Sequence, residues 1–409
     1  MLLPPLRQFM LVLLLLLPAT WAALNASTLP KTVLEIVAWA PVALALTGAA
    51  VCLWFHRANP VFALALVPVF HEFLPTATAD QKAATLFILP ILWLYFALSE
   101  ERGLLTRWGA MKAGAIVLGL ILLTLMNSGF YPSLFGTENW DALLESLRSP
   151  PTWTYSIHLP ALAVFVFVLG MIALTVRLMK RGRPMDAGYL GGFLALAGAA
   201  IQRPPSSGAD IFTALAAIIL IFALLQESYR MAFLDELTEL PGRRALFGDT
   251  KKLGKRYCVG MVDVDHFKSF NDTWGHDIGD QVLRMVAGRL QQVTGGGKAY
   301  RYGGEEFTVL FPSQDIETAF KHLDQLRQSI ADRPFVIRSP DRPTELAGRK
   351  TQKQVRGQST GNTQKTAITV SIGVAARRYK HEEFDDVMKR SDKALYKAKK
   401  AGRNRVARG

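Results

Sequence analysis

The stretch AYRYGGEEFTVLF, residues 299–311, reads as two β-strands that meet at a turn of two glycines and two glutamates. Its aromatic and β-branched residues predict a β-hairpin with strands at about 299–302 and 306–311. Glycine allows a tight chain reversal and a close approach of ligand to backbone. The turn therefore combines Gly303 and Gly304, which leave room for a ligand, with Glu305 and Glu306, which can bind one.

A second acidic stretch lies upstream, where the apolar run YCVGMVDVDHF, residues 257–267, ends in Asp263 and Asp265. In a strand these two side chains point to the same face. The spacing of apolar residues predicts helices over 277–293, 315–331 and 383–400, strands near 335–338 and 366–375, and a polar loop after residue 267. An α+β domain with helices on one face of a sheet is expected, and it would bring Asp263 next to Glu305.

Two carboxylates beside glycines favour a hard cation that holds phosphate oxygens. Mg²⁺ is the natural ion, because it uses one or two carboxylates and leaves positions for phosphates. Surface acids at a tight turn are the alternative interpretation on these residues alone.

The first half of the chain is far more apolar than the second. Apolar segments close to membrane-spanning length lie at 9–24, 33–55, 61–74, 84–98, 112–128, 157–179, 187–202 and 210–226. A bundle of seven or eight transmembrane helices is therefore predicted over residues 1–226, and the lipid bilayer is an expected partner. The first segment also fits a cleavable signal peptide.

Loop charges orient this bundle. If the segments alternate and the second half is cytoplasmic, the inner loops collect Arg7, Arg57, Arg102, Arg107, Lys112, Lys180, Arg181 and Arg183, and the outer loops collect Lys31, Lys82, Arg148 and Arg203. This bias agrees with the positive-inside rule. The segment 129–156 would then face outward.

Ionisable residues also lie in or beside the outer halves of the segments, at Glu35, His71, Glu72 and His158. Ionisable groups within a membrane usually indicate a functional site, so a shared ligand pocket that faces outward is one interpretation. The other is that these residues lie where the ends of the helices reach the membrane–water interface. A transporter shows interrupted helices in inverted repeats, and this half does not have that signature. A sensor that regulates the second half is the preferred interpretation.

From Ile211 to Pro241 no glycine or proline interrupts the helical pattern. The expected organisation is a membrane domain over 1–226, a connecting signalling helix over 227–240 and a catalytic domain over 241–409. From Met231 onward the chain holds 33 Lys and Arg against 22 Asp and Glu. This excess favours anionic partners. With two cysteines the chain has no disulfide framework.

Five motifs then occur in order: DELTELPGRR (235–244), DVDHFKSFNDTWGHDIGD (263–280), RYGGEEF (301–307), VSIGVA (370–375) and SDKALYKAKKAGRN (391–404). Together they resemble the GGDEF family of bacterial diguanylate cyclases, over about residues 231–409. The resemblance implies a palm-like α+β domain that joins two GTP molecules into cyclic di-GMP, as a homodimer with one GTP on each subunit.

The resemblance also assigns roles. It implies Mg²⁺, with Mn²⁺ as a substitute, on Asp263, the Val264 carbonyl and Glu305. Asn271 and Asp280 would read guanine. The remaining substrate-binding positions are Phe267, Lys268, Gly303, Gly304, Lys393 and Lys397, where many members have arginine at the last position. Glu306 would lie near the attacking hydroxyl or a second metal ion, and Asp265 and His276 would be structural.

The chain departs from the family in several places, and two of them bear on regulation and partners. Many members carry Arg-x-x-Asp upstream of the hairpin as a site for product inhibition, and Thr294–Gly297 supplies neither the arginine nor the aspartate. No feedback inhibition of that kind is expected. Residues 340–365 form a basic insertion predicted to be a disordered loop, with contact to anionic lipid or nucleic acid as the alternative.

The predicted protein is thus a multi-pass diguanylate cyclase of the bacterial inner membrane with a cytoplasmic catalytic domain, GTP as substrate and no specific nucleic-acid partner. An inactive receptor that binds GTP or cyclic di-GMP is the alternative. The presence of Asp263, Glu305, Asn271 and Asp280 speaks against it. The signal sensed by the membrane domain is not encoded in any motif.

Overall fold

Long apolar helices form the first part of the chain. The computed structural model describes residues 4–76, 79–127, 160–202, 207–337, 364–379 and 381–409, and contacts divide the chain into two units, Met1–Ser228 and Tyr229–Gly409. The first helices are α1 (Pro4–Leu24), α2 (Lys31–Trp54), α3 (Ala58–Thr76), α4 (Ala79–Leu98), α5 (Arg107–Asn127), α6 (Ala161–Arg181), α7 (Pro184–Ile201) and α8 (Ser207–Phe233), with a short 3-10 helix at Ala26–Thr28.

These helices match the eight predicted apolar segments. Among the described residues, six helices are long and apolar enough to cross a membrane, and α3 and α4 contain shorter apolar stretches at Ala58–Phe73 and Lys82–Leu98. The predicted outward segment 129–156 falls outside the described residues. Length and hydropathy are therefore compatible with a membrane protein.

One of the predicted ionisable groups finds a partner inside this unit. His71 Nδ1 on α3 lies 3.1 Å from Asp210 Oδ1 on α8. Glu35 on α2 is exposed, and His158 lies outside the described residues. The structure thus brings His71 next to an acid that the sequence pattern had not singled out.

Helix α8 ends at Phe233 and so covers only the first part of the connecting helix predicted over 227–240. The Asp235 carboxylate accepts hydrogen bonds from Thr238 N at 2.9 Å and Thr238 Oγ1 at 2.6 Å. Asp235 N donates to Leu240 O, and Gly242 N donates to Phe233 O at 2.7 Å. An aspartate that bonds to the backbone ahead of it competes with a helix, and this turn ends α8 before Pro241 does.

The second unit is built on a five-stranded sheet of order β2-β3-β1-β6-β7. Its elements are α9 (Arg243–Thr250), β1 (Cys258–Val264), α10 (Phe267–Trp274), α11 (His276–Leu290), β2 (Lys298–Gly303), β3 (Glu306–Phe311), α12 (Ile316–Ala331), β4 (Phe335–Ile337), β5 (Gln364–Thr366), β6 (Val370–Ala376), α13 (Phe384–Lys400) and β7 (Val406–Arg408). The β6–β7 pair is parallel, and the other pairs in this sheet are antiparallel. The α+β prediction is confirmed.

Helices cover both faces of this sheet, so the prediction of helices on one face was wrong. Val262 on β1 belongs to a core with Val282 of α11 and Leu323 of α12. Val259 and Met261, on the opposite face of β1, pack in a second core with α9 and α13. An apolar run buried on both faces is typical of a strand between two helical layers.

The polar loop predicted after residue 267 is also wrong in its first part, because α10 occupies Phe267–Trp274. Phe267, Phe270 and Trp274 are spaced as one face of a helix and pack against the core of the α11 face. The insertion predicted over 340–365 is described only at its end, where β5 pairs with β4 as a separate two-stranded ribbon.

Candidate active site

The end of β1 and the hairpin β2–β3 meet as the sequence predicts. Asp263 is the register partner of Glu306, the first residue of β3. Gly304 in the turn has φ +28°, in the region that favours glycine. The turn therefore sets Glu305 beside the pair, and the three carboxylates share one corner of the sheet.

These carboxylates affect each other electrostatically. Asp263 is 4% exposed. Burial raises its pKa, and the Lys399 ammonium, 2.8 Å from Asp263 Oδ1, opposes that rise without cancelling it. Burial first and the negative charge of Asp263 second raise the pKa of Glu305, and the same two causes, joined by Asp392, raise the pKa of Glu306. A cation bound among the three carboxylates would offset this repulsion and the cost of burying their charges.

The corner fits a divalent ion that substrate helps to hold. Among the described residues, no group of three or more His, Cys, Asp or Glu side chains is arranged as a ready metal site. Asp263 and Glu305 supply two carboxylates, and the Val264 backbone adjoins them at the strand end. One or two carboxylates completed by phosphate oxygens is how Mg²⁺ is usually bound beside nucleotides, and Mn²⁺ accepts the same oxygen ligands.

Lys399 is the residue that sequence reasoning missed. It lies on α13 together with the predicted Lys393 and Lys397, and all three line a cavity of about 440 Å³ with Glu306. Lys393 and Lys397 are exposed, whereas Lys399 alone reaches Asp263. The signal was the helical spacing of Asp392, Leu395 and Lys399, which puts Lys399 on the face that carries the buried Leu395.

The predicted guanine-reading residues lie at the α10–α11 corner. Asn271 is on α10 and Asp280 is on α11. Asn271 Oδ1 is buried and has no hydrogen-bond partner within the described part of the chain. A Cβ added to Gly279 would lie 1.8 Å from this oxygen. The absence of a side chain at Gly279 thus leaves the space that the Asn271 side-chain oxygen occupies.

Phe267 and Lys268 begin α10 directly after β1. Phe267 is 7% exposed and belongs to the core, so its side chain does not face a ligand. Lys268 is exposed. Only the backbone of Phe267 is available for the phosphate contact that the resemblance implies, whereas Lys268 can offer its ammonium.

Asp265 is tied into the structure. Its carboxylate accepts hydrogen bonds from Thr369 Oγ1 at 2.8 Å, Ser371 Oγ at 2.7 Å and Asn404 N at 3.0 Å. A carboxylate with this many donors has little capacity left for a ligand. The structural role predicted for Asp265 is confirmed. His276, the first residue of α11, is exposed, and its predicted role remains a prediction.

Arg301 connects the hairpin to the segment that follows α8. Its guanidinium donates to Asp235 Oδ1 at 2.6 Å and to the Gly304 carbonyl at 2.7 Å. Arg301 N also donates to Pro241 O. The turn at Asp235 and the hairpin tip are therefore held by one side chain, 14% exposed.

Comparison with known proteins finds similarity over the second unit. A family model described as diguanylate cyclase, GGDEF domain, matches residues 232–347 and 338–405. The response regulator PleD of Caulobacter vibrioides is 34% identical over 190 residues, which cover 44% of this chain and 37% of PleD. The diguanylate cyclase VdcA of Vibrio cholerae is 37% identical over 179 residues, which cover 43% of this chain and 46% of VdcA.

Solved structures match over the same share of the chain. A crystal structure of the coiled coil and GGDEF domain of DgcB from Caulobacter crescentus, in complex with c-di-GMP, is 33% identical and covers 46% of this chain and 90% of that one, with a TM-score of 0.38. This chain spans less than half the length of PleD and of VdcA.

Proposed function

We propose, from the premise that residues 232–405 belong to the GGDEF family of diguanylate cyclase domains, that the whole protein condenses two GTP molecules into cyclic di-GMP and releases two pyrophosphates. The observation that carries this proposal is the corner at which Asp263 opposes Glu306 with Glu305 in the adjoining turn. A buried acid and two half-buried acids with raised pKa values that share one corner are typical of a catalytic site.

In this proposal each subunit of a homodimer binds one GTP. The unpaired Asn271 Oδ1 accepts a hydrogen bond from an N–H of guanine. The Asp280 carboxylate accepts hydrogen bonds from the N1–H and the exocyclic amine of the same base. Adenine lacks this donor pair, so it would leave buried acceptors unpaired, at a cost of about 1–3 kcal/mol each. The α10–α11 corner therefore selects the base.

The phosphates lie toward the hairpin and α13. Asp263, Glu305 and the Val264 carbonyl would hold the divalent ion, whose chemistry is to neutralise phosphate charge and to acidify the attacking hydroxyl. Lys399 exchanges its contact with Asp263 for a phosphate oxygen, and Lys268, Lys393 and Lys397 supply further positive charge. The exchange lets the same ammonium stabilise the site before and after substrate binds.

Glu306 receives the proton. This residue opposes Asp263 in the sheet and lines the cavity with Lys393 and Lys397, and a carboxylate within reach of the attacking hydroxyl is what this step requires. As the 3′-oxygen of the GTP on the other subunit attacks, a bond to the α-phosphorus forms and the bond to the leaving pyrophosphate breaks. The reaction occurs twice, once from each GTP, and closes the ring.

We further propose that the helices of Met1–Ser228 anchor the enzyme in the bacterial inner membrane as a multi-pass domain, with the second unit in the cytoplasm. The apolar helices and the bias of basic loop residues support this placement. In this arrangement the membrane domain regulates the cyclase.

The test is incubation of the full chain with GTP and magnesium, followed by chromatography of the nucleotides. Wild type should form cyclic di-GMP, and Asp263→Ala and Glu305→Ala should form none. Asp272→Ala is the matched control, because Asp272 is an exposed acid on α10, and it should keep wild-type activity. Product formed by Glu305→Ala at the wild-type rate would refute the proposal.

A further inference from the structure

A polar cavity of about 350 Å³ lies within the first unit, at the end where α8 leaves it. Its walls come from the α2–α3 turn, the segment between α4 and α5, the α6–α7 turn and the last turns of α8, with Arg57, Glu101, Arg177, Asp186 and Glu227 among its lining residues. Ionisable groups gathered at the end of an apolar bundle suggest a functional site.

Two acidic oxygens of this cavity lack partners. Asp186 Oδ2 on α7 and Glu227 Oε2 on α8 are buried, and neither has a hydrogen-bond partner among the described residues. The Asp186 side chain is only 2% exposed. An ionised carboxylate only accepts hydrogen bonds, so these two atoms call for a donor.

Two basic residues beside this cavity donate to other atoms. Arg177 Nε donates to the other oxygen of Asp186, Oδ1, at 2.5 Å. Lys112 Nζ donates to Asn59 Oδ1 and, at 2.9 Å, to the Glu100 carbonyl. Glu101 is satisfied, because its Oε1 accepts from Ala58 N and Asn59 N. Among the described residues that line the cavity, the buried carboxylate oxygens without a hydrogen-bond partner are therefore Asp186 Oδ2 and Glu227 Oε2.

The rim of the cavity has the opposite chemistry. Arg181 and Arg183 are exposed, and within the described residues neither forms an ion pair. A guanidinium binds phosphate through paired, charge-assisted hydrogen bonds. Basic pockets at the cytoplasmic ends of membrane helices bind lipid headgroups by this means.

We propose that this cavity binds a zwitterionic group that carries a primary ammonium and a phosphate. The ammonium donates to Asp186 Oδ2 and Glu227 Oε2, and the phosphate accepts from Arg181 and Arg183. The group is either an ethanolamine-type lipid headgroup or a free aminoalkyl phosphate. Only the lipid source rests on the proposed membrane position, and Glu227 connects the ligand to the helix that continues to Phe233.

The experiment measures binding to the full chain in detergent by native mass spectrometry and by the shift in melting temperature. The probes are short-chain phosphatidylethanolamine, short-chain phosphatidylcholine, phosphoethanolamine and inorganic phosphate. Phosphatidylcholine is the decisive comparison, because its quaternary ammonium has no N–H to donate. Stabilisation by phosphatidylethanolamine alone identifies a lipid ligand, and stabilisation by phosphoethanolamine identifies a soluble one.

Glu227→Gln should weaken binding of the effective probe about tenfold, since it removes a charge-assisted hydrogen bond. Arg181→Gln, on an exposed residue that does not endanger folding, should weaken it by a similar factor. Glu35→Gln is the matched control on the exposed face of α2 and should bind as wild type does.

Equal binding of phosphatidylcholine and phosphatidylethanolamine would overturn the proposal. Inorganic phosphate that binds as tightly as phosphoethanolamine, or unchanged binding in both Glu227→Gln and Arg181→Gln, would overturn it too. Because no nucleotide is present, failure here is distinguishable from failure of the proposed cyclase activity.

Discussion

Two buried aspartates, one in each unit, form ion pairs with different basic residues. Asp186 and Arg177 lie 2.5 Å apart with side chains 2% and 16% exposed, whereas Asp263 and Lys399 lie 2.8 Å apart with side chains 6% and 31% exposed. Arginine offers a rigid planar fork, and lysine carries a point charge on a flexible stem. The comparison teaches that the first pair is a fixed structural contact and the second can open for a ligand.

The largest expected effect is a loss of stability when the pair of Arg177 and Asp186 is broken. Arg177→Met leaves the Asp186 charge buried without compensation and should lower the free energy of unfolding by about 3–5 kcal/mol. Denaturation of the full chain in detergent measures this loss. The double variant Arg177→Met/Asp186→Leu should recover much of the stability, because it removes the uncompensated charge as well. No recovery would mean that the pair is not what stabilises this part of the bundle.

The pair of Asp263 and Lys399 should show the opposite balance, with a small effect on stability and a large effect on activity. Lys399→Met should lower the free energy of unfolding by clearly less than Arg177→Met does, since the Lys399 ammonium is partly exposed and the raised pKa of Asp263 lets this carboxyl take up a proton. It should lower kcat/KM for GTP about 100-fold, equivalent to about 2.7 kcal/mol, because a charge-assisted phosphate contact is lost. Lys389→Met, on an exposed lysine of the same helix, is the control. A stability loss as large as that of Arg177→Met would erase the distinction between the two pairs.

A smaller effect is expected at the α10–α11 corner, where the proposed function places guanine. Gly279→Ala places a methyl group against Asn271 Oδ1 and should raise KM for GTP about tenfold, within the 1–3 kcal/mol that overpacking costs. Gly288→Ala is a close control, because it lies on the same helix and its Cβ would contact nothing within 4 Å. If both variants have the wild-type KM, Asn271 does not contact the nucleotide.

The smallest effect is a dependence of stability on pH. The pKa values of Asp263, Glu305 and Glu306 are raised in the folded protein, so the folded state binds these protons more tightly than the unfolded state does. Without metal, the cost of their ionised forms is present at neutral pH and disappears as pH falls toward the ordinary values of 3.8 and 4.5.

Asp263→Asn removes one of these charges and lessens the repulsion on the other two. The melting temperature of the variant minus that of wild type should therefore decrease as pH falls from neutral toward 4, in buffers containing a chelator. Scanning calorimetry across this range measures the difference. A difference that grows on acidification would mean that Lys399 lowers the pKa of Asp263 below its ordinary value.

Local patterns predicted much of the second unit. The hairpin, the acidic end of β1 and the amphipathic helices depend on residues close in sequence, and their positions agree with the structure to within a few residues. The choice of Lys399 among the lysines of α13 depends on how that helix docks on β6, and sequence spacing alone does not fix docking. Helix α10 was missed because its three aromatic residues stand among polar ones, so its apolar face is short.

The first unit was predictable as a set of helices but not as a set of contacts. Hydropathy locates the apolar segments, yet it does not show that Arg177 pairs with Asp186 or that His71 meets Asp210. The positive-inside rule counts Arg181 and Arg183 as loop charges, and only packing shows that they line a cavity. The end of α8 was misjudged because side-chain bonds of Asp235 outweigh a continuous apolar pattern.

The ribbon of β4 and β5 has a consequence for engineering. It holds Ile337 directly opposite Gln364, so the two ends of the intervening sequence are clamped side by side, apart from the central sheet. Each doubling in the length of a flexible loop costs only about 0.6 kcal/mol in closure entropy. The position is therefore a natural grafting point for an affinity tag or a fluorescent reporter.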